Sequence, residues 1–295
     1  MTILMTGLCE KGADQIWKQC NDAMYAQGVT WLEEAAYAGD AEAWFFLGHC
    51  YSWGDGAVGF NEKKAYECYL RGASAGSARA VLGALRAGQY DEQMKQSARY
   101  SIEESYRQVR DAAEMGDVYA AWQMGEAVEW EDLADYMPQT ESAREQCLFW
   151  YERAADGGII PAMVKMGKCC QNGTYREKDE KEALRWANQC AASGEVWGLF
   201  QMGEHYRQEE DWEAAFQYDY AAAKQGSSRA MLYLGQMYLN GQGTERDIQA
   251  AVQALEGAAA RNEAESFEEL GNLFYQDELV ERDDEKAFYW YGKAY

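Results

Sequence analysis

Residues able to do chemistry are few in this chain and poorly placed for it. There are two histidines, His49 and His205, and eight cysteines: Cys9, Cys20, Cys50, Cys68, Cys147, Cys169, Cys170 and Cys190. Histidine is the commonest general base near neutral pH, but catalysis or metal binding needs partners at set spacings. No C-x-x-C and no H-E-x-x-H occurs. Cys169 and Cys170 are adjacent, so on a helix they point to different sides and make a poor metal pair. Asn240-Gly241-Gln242-Gly243-Thr244 has the glycines of a phosphate loop, yet no Gly-Lys-Ser/Thr follows it. Carboxylates number 50, and so many solvated ones single out no acid–base pair. These residues predict a chain without a catalytic centre, metal or cofactor. A hydrolase working through a groove carboxylate is the remaining enzymatic reading.

The elements that would position any site show themselves through a recurring glycine. Gly39, Gly76, Gly116, Gly158, Gly194 and Gly226 follow one another at 37, 40, 42, 36 and 32 residues, and Asn262 continues the series after another 36. Three residues before each stands an alanine: Ala36, Ala73, Ala113, Ala155, Ala191, Ala223 and Ala259. A period of about 30–45 residues marks a solenoid of stacked supersecondary units. Counted from the recurring glycine, offsets four, five, eight, nine and twelve are mostly small or apolar, as in Ala230, Met231, Leu234, Gly235 and Tyr238. They fall on one side of an α-helix. Offset nine is a second glycine in six units, with Leu85 the exception. Glycine inside a helix costs about 1 kcal/mol relative to alanine, so close approach of a neighbouring helix backbone is expected there. A second helical pattern follows, such as Lys64 to Leu70, and closes on the Ala-x-x-Gly signal. The closing glycine is expected in the left-handed conformation that ends helices, where Asn is the next best residue.

This spacing predicts an all-α fold. Helix–loop–helix units start near residues 40, 77, 117, 159, 195, 227 and 263, forming one elongated domain over 40–295. A degenerate N-terminal capping unit occupies 1–39. The third unit carries extra residues around 126–142, and the fifth is short and lacks a Gly-rich loop. Insertions in solenoids map to loops on one face.

Composition narrows the partners. With 50 acidic and 27 basic residues the formal net charge is −23. Phosphate contacts need Lys and Arg, so nucleic acid is excluded as a general partner, and anionic membrane surfaces are disfavoured. The first dozen residues lack a basic start followed by an apolar run, so no export signal is expected. Cytoplasmic localisation and thiols rather than disulfides follow as expectations.

The units read A-x-x-x-L/M-G-x-x-Y, then G-x-G, then K-A-x-x-W/Y-Y-x-x-A-A-x-x-G. Ala230 to Tyr238 followed by Asn240-Gly241-Gln242-Gly243 is a good instance. Over residues 13–295 the chain resembles the Sel-one-like repeat family, relatives of the tetratricopeptide repeat. The resemblance implies a right-handed superhelix of antiparallel helix pairs acting as a bacterial scaffold or adaptor. In a secreted branch of that family a disulfide in each repeat takes the place of Ala73 and Ala80 here, so neither its bridges nor its reported hydrolase activity is implied.

In such an architecture the first helices line the concave side. Offsets three, seven, ten and fourteen would then face a partner. From these, Phe46, His49, Trp53, Arg86, Tyr90, Tyr119, Glu126, Trp130, Lys165, Lys168, Trp197, Glu204, Arg229 and Tyr233 are the candidate contacts. Trp, Tyr and Arg are the residues enriched at interface hot spots. The expected function is a monomeric scaffold holding a protein or peptide in this groove. The alternative is an immunity or inhibitor protein that neutralises a bacterial toxin or effector.

Overall fold

A computed structural model describes residues 2–18, 22–54, 58–129, 143–276 and 282–294. Among them every regular element is helical. The chain divides into two compact units, residues 1–183 and 184–295. In the first lie α1 (Thr2–Trp17), α2 (Asp22–Tyr37), α3 (Ala41–Trp53), α4 (Glu62–Ala75), α5 (Ala78–Arg86), α6 (Glu92–Ser97), α7 (Ile102–Glu114), α8 (Val118–Glu129), α9 (Ala143–Asp156) and α10 (Ile160–Asn172). The division falls within α11 (Glu180–Ala192). Beyond it are α12 (Val196–Gln208), α13 (Trp212–Lys224), α14 (Ser228–Asn240), α15 (Ile248–Ala259), α16 (Ala264–Gln276) and α17 (Asp284–Ala294). Five first helices pack most closely on their own second helix, α3 on α4, α8 on α9, α12 on α13, α14 on α15 and α16 on α17. The chain is an α/α solenoid of helical hairpins.

One local device builds every junction. Gly76 has φ 106° and Asn262, the lone substitute, has φ 60°. In each of the seven junctions the N–H of this residue donates to the carbonyl of the alanine three before it, as from Gly76 to Ala73 and from Asn262 to Ala259. The next N–H reaches five residues back, Ser77 to Gly72 and Glu263 to Ala258. Together these satisfy carbonyls that a helix end leaves orphaned. The residue after the turn also starts the next helix. Asp40, Ser77, Asp117, Glu195 and Ser227 accept from backbone N–H groups of the first turn of the following helix. Five residues therefore end one helix and cap the next.

At Gly48, Gly125 and Gly271 the glycine inside the first helix has a different cause from the expected one. A Cβ on Gly48 would lie 2.7 Å from the Tyr69 ring, one on Gly125 2.7 Å from Tyr151, and one on Gly271 2.6 Å from Tyr291. The neighbour is a side chain of the unit's own second helix, not a backbone. Tyr69 and Tyr151 each stand seven residues before the closing glycine, and each of the three rings fills the place where the side chain is missing. Backbone approach does occur between α1 and α2, where a Cβ on Gly12 would sit 2.9 Å from the Gly28 carbonyl.

The unit from residue 77 departs from the pattern. Its first helix, α5, stops at Arg86, and a third short helix, α6, intervenes before α7. Here Gly83 replaces the glycine missing at Leu85, and a Cβ on it would also meet Tyr69 at 2.7 Å. Tyr69 is thus clasped between two helices and is 1% exposed. The extra length expected in the third unit falls mainly on 130–142, outside the described residues. None of the seven described cysteines is in a disulfide and all are buried, with burial holding the Cys68 thiol up at about 12; Cys20 is outside the described residues.

Candidate functional site

In the first unit the face marked by the offsets is filled by rings. Trp17, at the end of α1, is 2% exposed. Its centroid lies 5.1 Å from Phe46, 5.4 Å from His49, 6.2 Å from Tyr119 and 5.8 Å from Trp122. The Tyr119 hydroxyl donates to Asp14 Oδ1 at 2.6 Å, which fastens α8 to α1. Burial and the Asp14 carboxylate both push the Tyr119 hydroxyl well above its usual range, so it stays protonated. Phe46 and Tyr119 are therefore core residues, 3% and 8% exposed.

Beside this cluster four of the candidate contacts converge. His49 and Trp53 on α3, Arg86 on α5 and Glu126 on α8 line a small, partly open pocket of about 20 Å³. Phe45, Leu82, Leu85 and Ala127 supply its apolar wall. Trp53 is 48% exposed, and the Arg86 guanidinium lies 5.0 Å over its ring. Such stacking is worth about 0.5–2 kcal/mol depending on exposure. Gln123, buried on α8, also lines the pocket and donates from Nε2 to the Arg79 carbonyl at 3.0 Å. Arg79 ties three elements together, pairing with Asp117 at the start of α8 and lying 3.6 Å from Glu42 on α3.

The other candidates are not gathered there. Tyr90 lines a separate surface pocket with Arg99 and Tyr100. Lys165 is ion-paired with Glu129, which also accepts from the Tyr151 hydroxyl at 2.7 Å and from Tyr175 at 3.4 Å. That network joins α8, α9 and α10. Lys168 and Arg229 are exposed, and Trp197 and Glu204 are half-buried. Trp130 lies outside the described residues.

In the second unit Tyr233 belongs to a charged centre that the offsets did not reveal. The Arg207 guanidinium lies 3.7 Å over the Tyr233 ring and 5.6 Å from Phe200, and it is ion-paired with Asp219. Asp219 is 0% exposed. Burial raises its carboxyl to about 6, against the pull of Arg207. Arg207, Tyr233, Trp212 and Glu269 line an open pocket of about 400 Å³.

Trp17, Gln123, Arg207 and Asp219 are the residues that sequence reasoning missed. Trp17 had a signal. Gly12 precedes Gly39 by 27 residues, as Gly167 precedes Gly194. That register puts Trp17 where Trp53 stands in the next unit. Gln123 lies on the marked face but carries neither ring nor charge. Among the described residues no group of three or more His, Cys, Asp or Glu is placed to hold a metal, and no helix is long and apolar enough to cross a membrane.

Stacked helical hairpins with a left-handed turn at each junction define the helical-repeat class. Within it, the Sel1 repeat model matches residues 23–40, 41–77, 118–159, 160–195, 228–262 and 268–295, and the chain belongs to the Sel1 repeat family. The stretches left unmatched contain the three-helix unit and the short unit carrying Asp219. Among solved structures, the chain is similar to c5321, a protective antigen of uropathogenic Escherichia coli with an SLR fold. The TM-score is 0.54 at 22% identity, over 91% of this chain and 64% of that one. A Sel1 repeat protein from Oxalobacter formigenes gives a TM-score of 0.50 at 22% identity, covering 92% of each chain. Protein NMB1327 of Neisseria meningitidis serogroup B is 26% identical over 195 residues, 65% of this chain and 38% of that protein. The chain thus spans well under half the length of this curated relative. Sel1 repeat proteins generally mediate protein–protein interaction.

Proposed function

We propose that this protein is a non-catalytic scaffold that holds a protein partner at the Trp53–Arg86–Glu126 surface of its first unit. The convergence of these three with His49 around one partly open apolar pocket carries the reading. An exposed Trp stacked by Arg, above an apolar floor, is the chemistry of interface hot spots. The test is affinity capture from the native host followed by mass spectrometry, with wild type beside Trp53→Ala and Arg86→Ala. Each substitution is expected to weaken capture of a specific partner by about tenfold or more, as hot-spot truncation does. Undiminished capture by both variants, with unchanged thermal stability, removes this surface from the account.

The net charge of −23 supports a narrower form of the same reading, an inhibitor of a basic toxin or effector. A one-to-one complex whose affinity falls steeply with salt is its expected signature. Salt-independent capture of several unrelated proteins counts against it.

A further inference from the structure

The open pocket of about 400 Å³ in the second unit has a lining whose charges do not balance. Arg207 is its cation. The guanidinium is already committed to Asp219 and laid over the Tyr233 ring, with the side chain 12% exposed. Asp219 is ionised above about pH 6 and cancels that charge. Glu269, half-buried on α16, is the other charged residue of the lining. Gln236 Nε2 donates to its Oε1 at 2.9 Å, which holds the carboxylate in one orientation. Its Oε2 has no hydrogen-bond partner among the described residues and is not buried. At neutral pH one uncompensated negative charge therefore faces a space large enough for a long side chain. Trp212, at the start of α13, adds a half-buried ring to the same lining. Elsewhere the chain lays guanidinium groups on such rings, Arg71 at 4.9 Å over Trp44 and Arg185 at 4.0 Å over Trp186. Among the described residues no cation lies over Trp212.

We infer that this pocket takes one arginine side chain of the protein partner, its guanidinium pairing with Glu269 Oε2 and stacking on Trp212. The inference rests on the scaffold reading above and adds an anchor in the second unit. A guanidinium is planar, charged and carries five N–H donors, so one group meets both a carboxylate oxygen and a ring face. Asn240 gives its Nδ2 hydrogen to Gln242 Oε1 at 3.5 Å, which leaves Asn240 Oδ1 at the rim to accept a further guanidinium N–H. An ammonium meets the carboxylate but brings no plane to the ring. An anion meets Glu269 as a like charge and finds Arg207 already paired. The net charge of −23 favours approach of a basic partner.

The probes are N-acetylargininamide, its neutral isostere N-acetylcitrullinamide, N-acetyllysinamide and N-acetylglutamate. Each is titrated against the full chain at about pH 7.5, where Asp219 is ionised, with dissociation constants from NMR. The arginine amide is expected to bind about fivefold more tightly than the citrulline amide, the scale of a part-exposed ion pair with a cation–π contact. It is also expected to shift the Trp212 indole N–H resonance, assigned by its loss in Trp212→Phe. Glu269→Gln keeps the acceptor for Gln236 and is expected to bring the ratio close to one. Equal binding of the arginine and citrulline amides to wild type overturns the inference, as does a preference that survives Glu269→Gln. Lysine amide or glutamate binding as tightly as the arginine amide overturns it too. Should Glu269→Gln fail to fold, the wild type still decides, since an unmoved Trp212 indole under saturating arginine amide overturns the assignment. The scaffold reading fails separately. Preference absent with partner capture still weakened by Trp53→Ala removes the arginine pocket alone, whereas preference intact with no protein captured by wild type removes the protein source of the guanidinium.

Discussion

Asp219 shows how one substitution in a repeat changes the physics of its site. Seven residues before the closing residue, other units place Tyr69, Tyr151 or Leu255; this unit places a carboxylate. Gly203 makes the room, since a Cβ there would lie 2.5 Å from Asp219 Oδ1. Burial lifts the carboxyl from 3.8 to about 6, with Glu204 adding to the rise and Arg207 opposing it. The unfolded chain returns toward the ordinary value, so the folded state holds this proton more tightly. Stability from this group is therefore fully present below about pH 4, falls as pH rises toward about 6, and is level above that. The loss is roughly 1–3 kcal/mol. Urea unfolding followed by α12–α17 amide signals is expected to show a higher midpoint at about pH 5 than at about pH 7.5, with the difference reduced in Asp219→Asn. Stability that instead rises over this range would mean that Arg207 outweighs burial.

The same scale shows what the residues disclosed. Asn262 was readable as a left-handed helix end because only Asn interrupts an otherwise invariant row of glycines, and its φ is 60°. Asn262→Gly removes the residual Cβ strain and is expected to stabilise the chain by about 0.5–1 kcal/mol, while Asn262→Ala destabilises it by a similar amount. Asp219 was not readable, because an acidic residue on a mostly acidic helix looks solvated until its neighbours are known.

At the scale of elements, the order of helices was legible and the reason for their contacts was not. Periodicity located both helices of each unit, because apolar spacing reports which side is buried. It could not say what lies against that side, so the glycines of the first helices were assigned a backbone neighbour, whereas Gly48, Gly125 and Gly271 meet tyrosine rings, Gly203 meets Asp219 and Gly235 meets Leu255. The distinction is measurable. Gly125→Ala gains helix propensity of about 1 kcal/mol but drives a methyl into Tyr151, and overpacking of this kind costs about 1–3 kcal/mol. A net loss in thermal stability is expected. Gly292→Ala, in the last turn of α17 with nothing within 4 Å of its Cβ position, is the control and should stabilise. If both substitutions raise the melting temperature, the ring contact does not constrain the helix.

The whole chain was legible as a solenoid, yet its recognition surface was only partly so. Offsets describe each helix alone, whereas the position of α1 against α3 and α8 depends on how the units stack. That stacking buries Phe46 and Tyr119 under Trp17 and leaves Trp53 half-exposed. Trp17 touches rings from two other first helices, α3 and α8, so it acts for the first unit as a whole. Trp17→Ala should create a cavity and cost about 3–5 kcal/mol, as truncation of a buried aromatic does. The two compact units meet within α11, so this loss should stay largely on one side of it. Native-state hydrogen exchange is the measurement, because it reads each helix's opening free energy separately. Amides of α1, α3 and α8 are expected to lose protection while those of α14 and α15 keep theirs. In a one-dimensional repeat array the damage can spread only through neighbour interfaces, so uniform loss across all helices would show that α11 couples the two units into a single cooperative body.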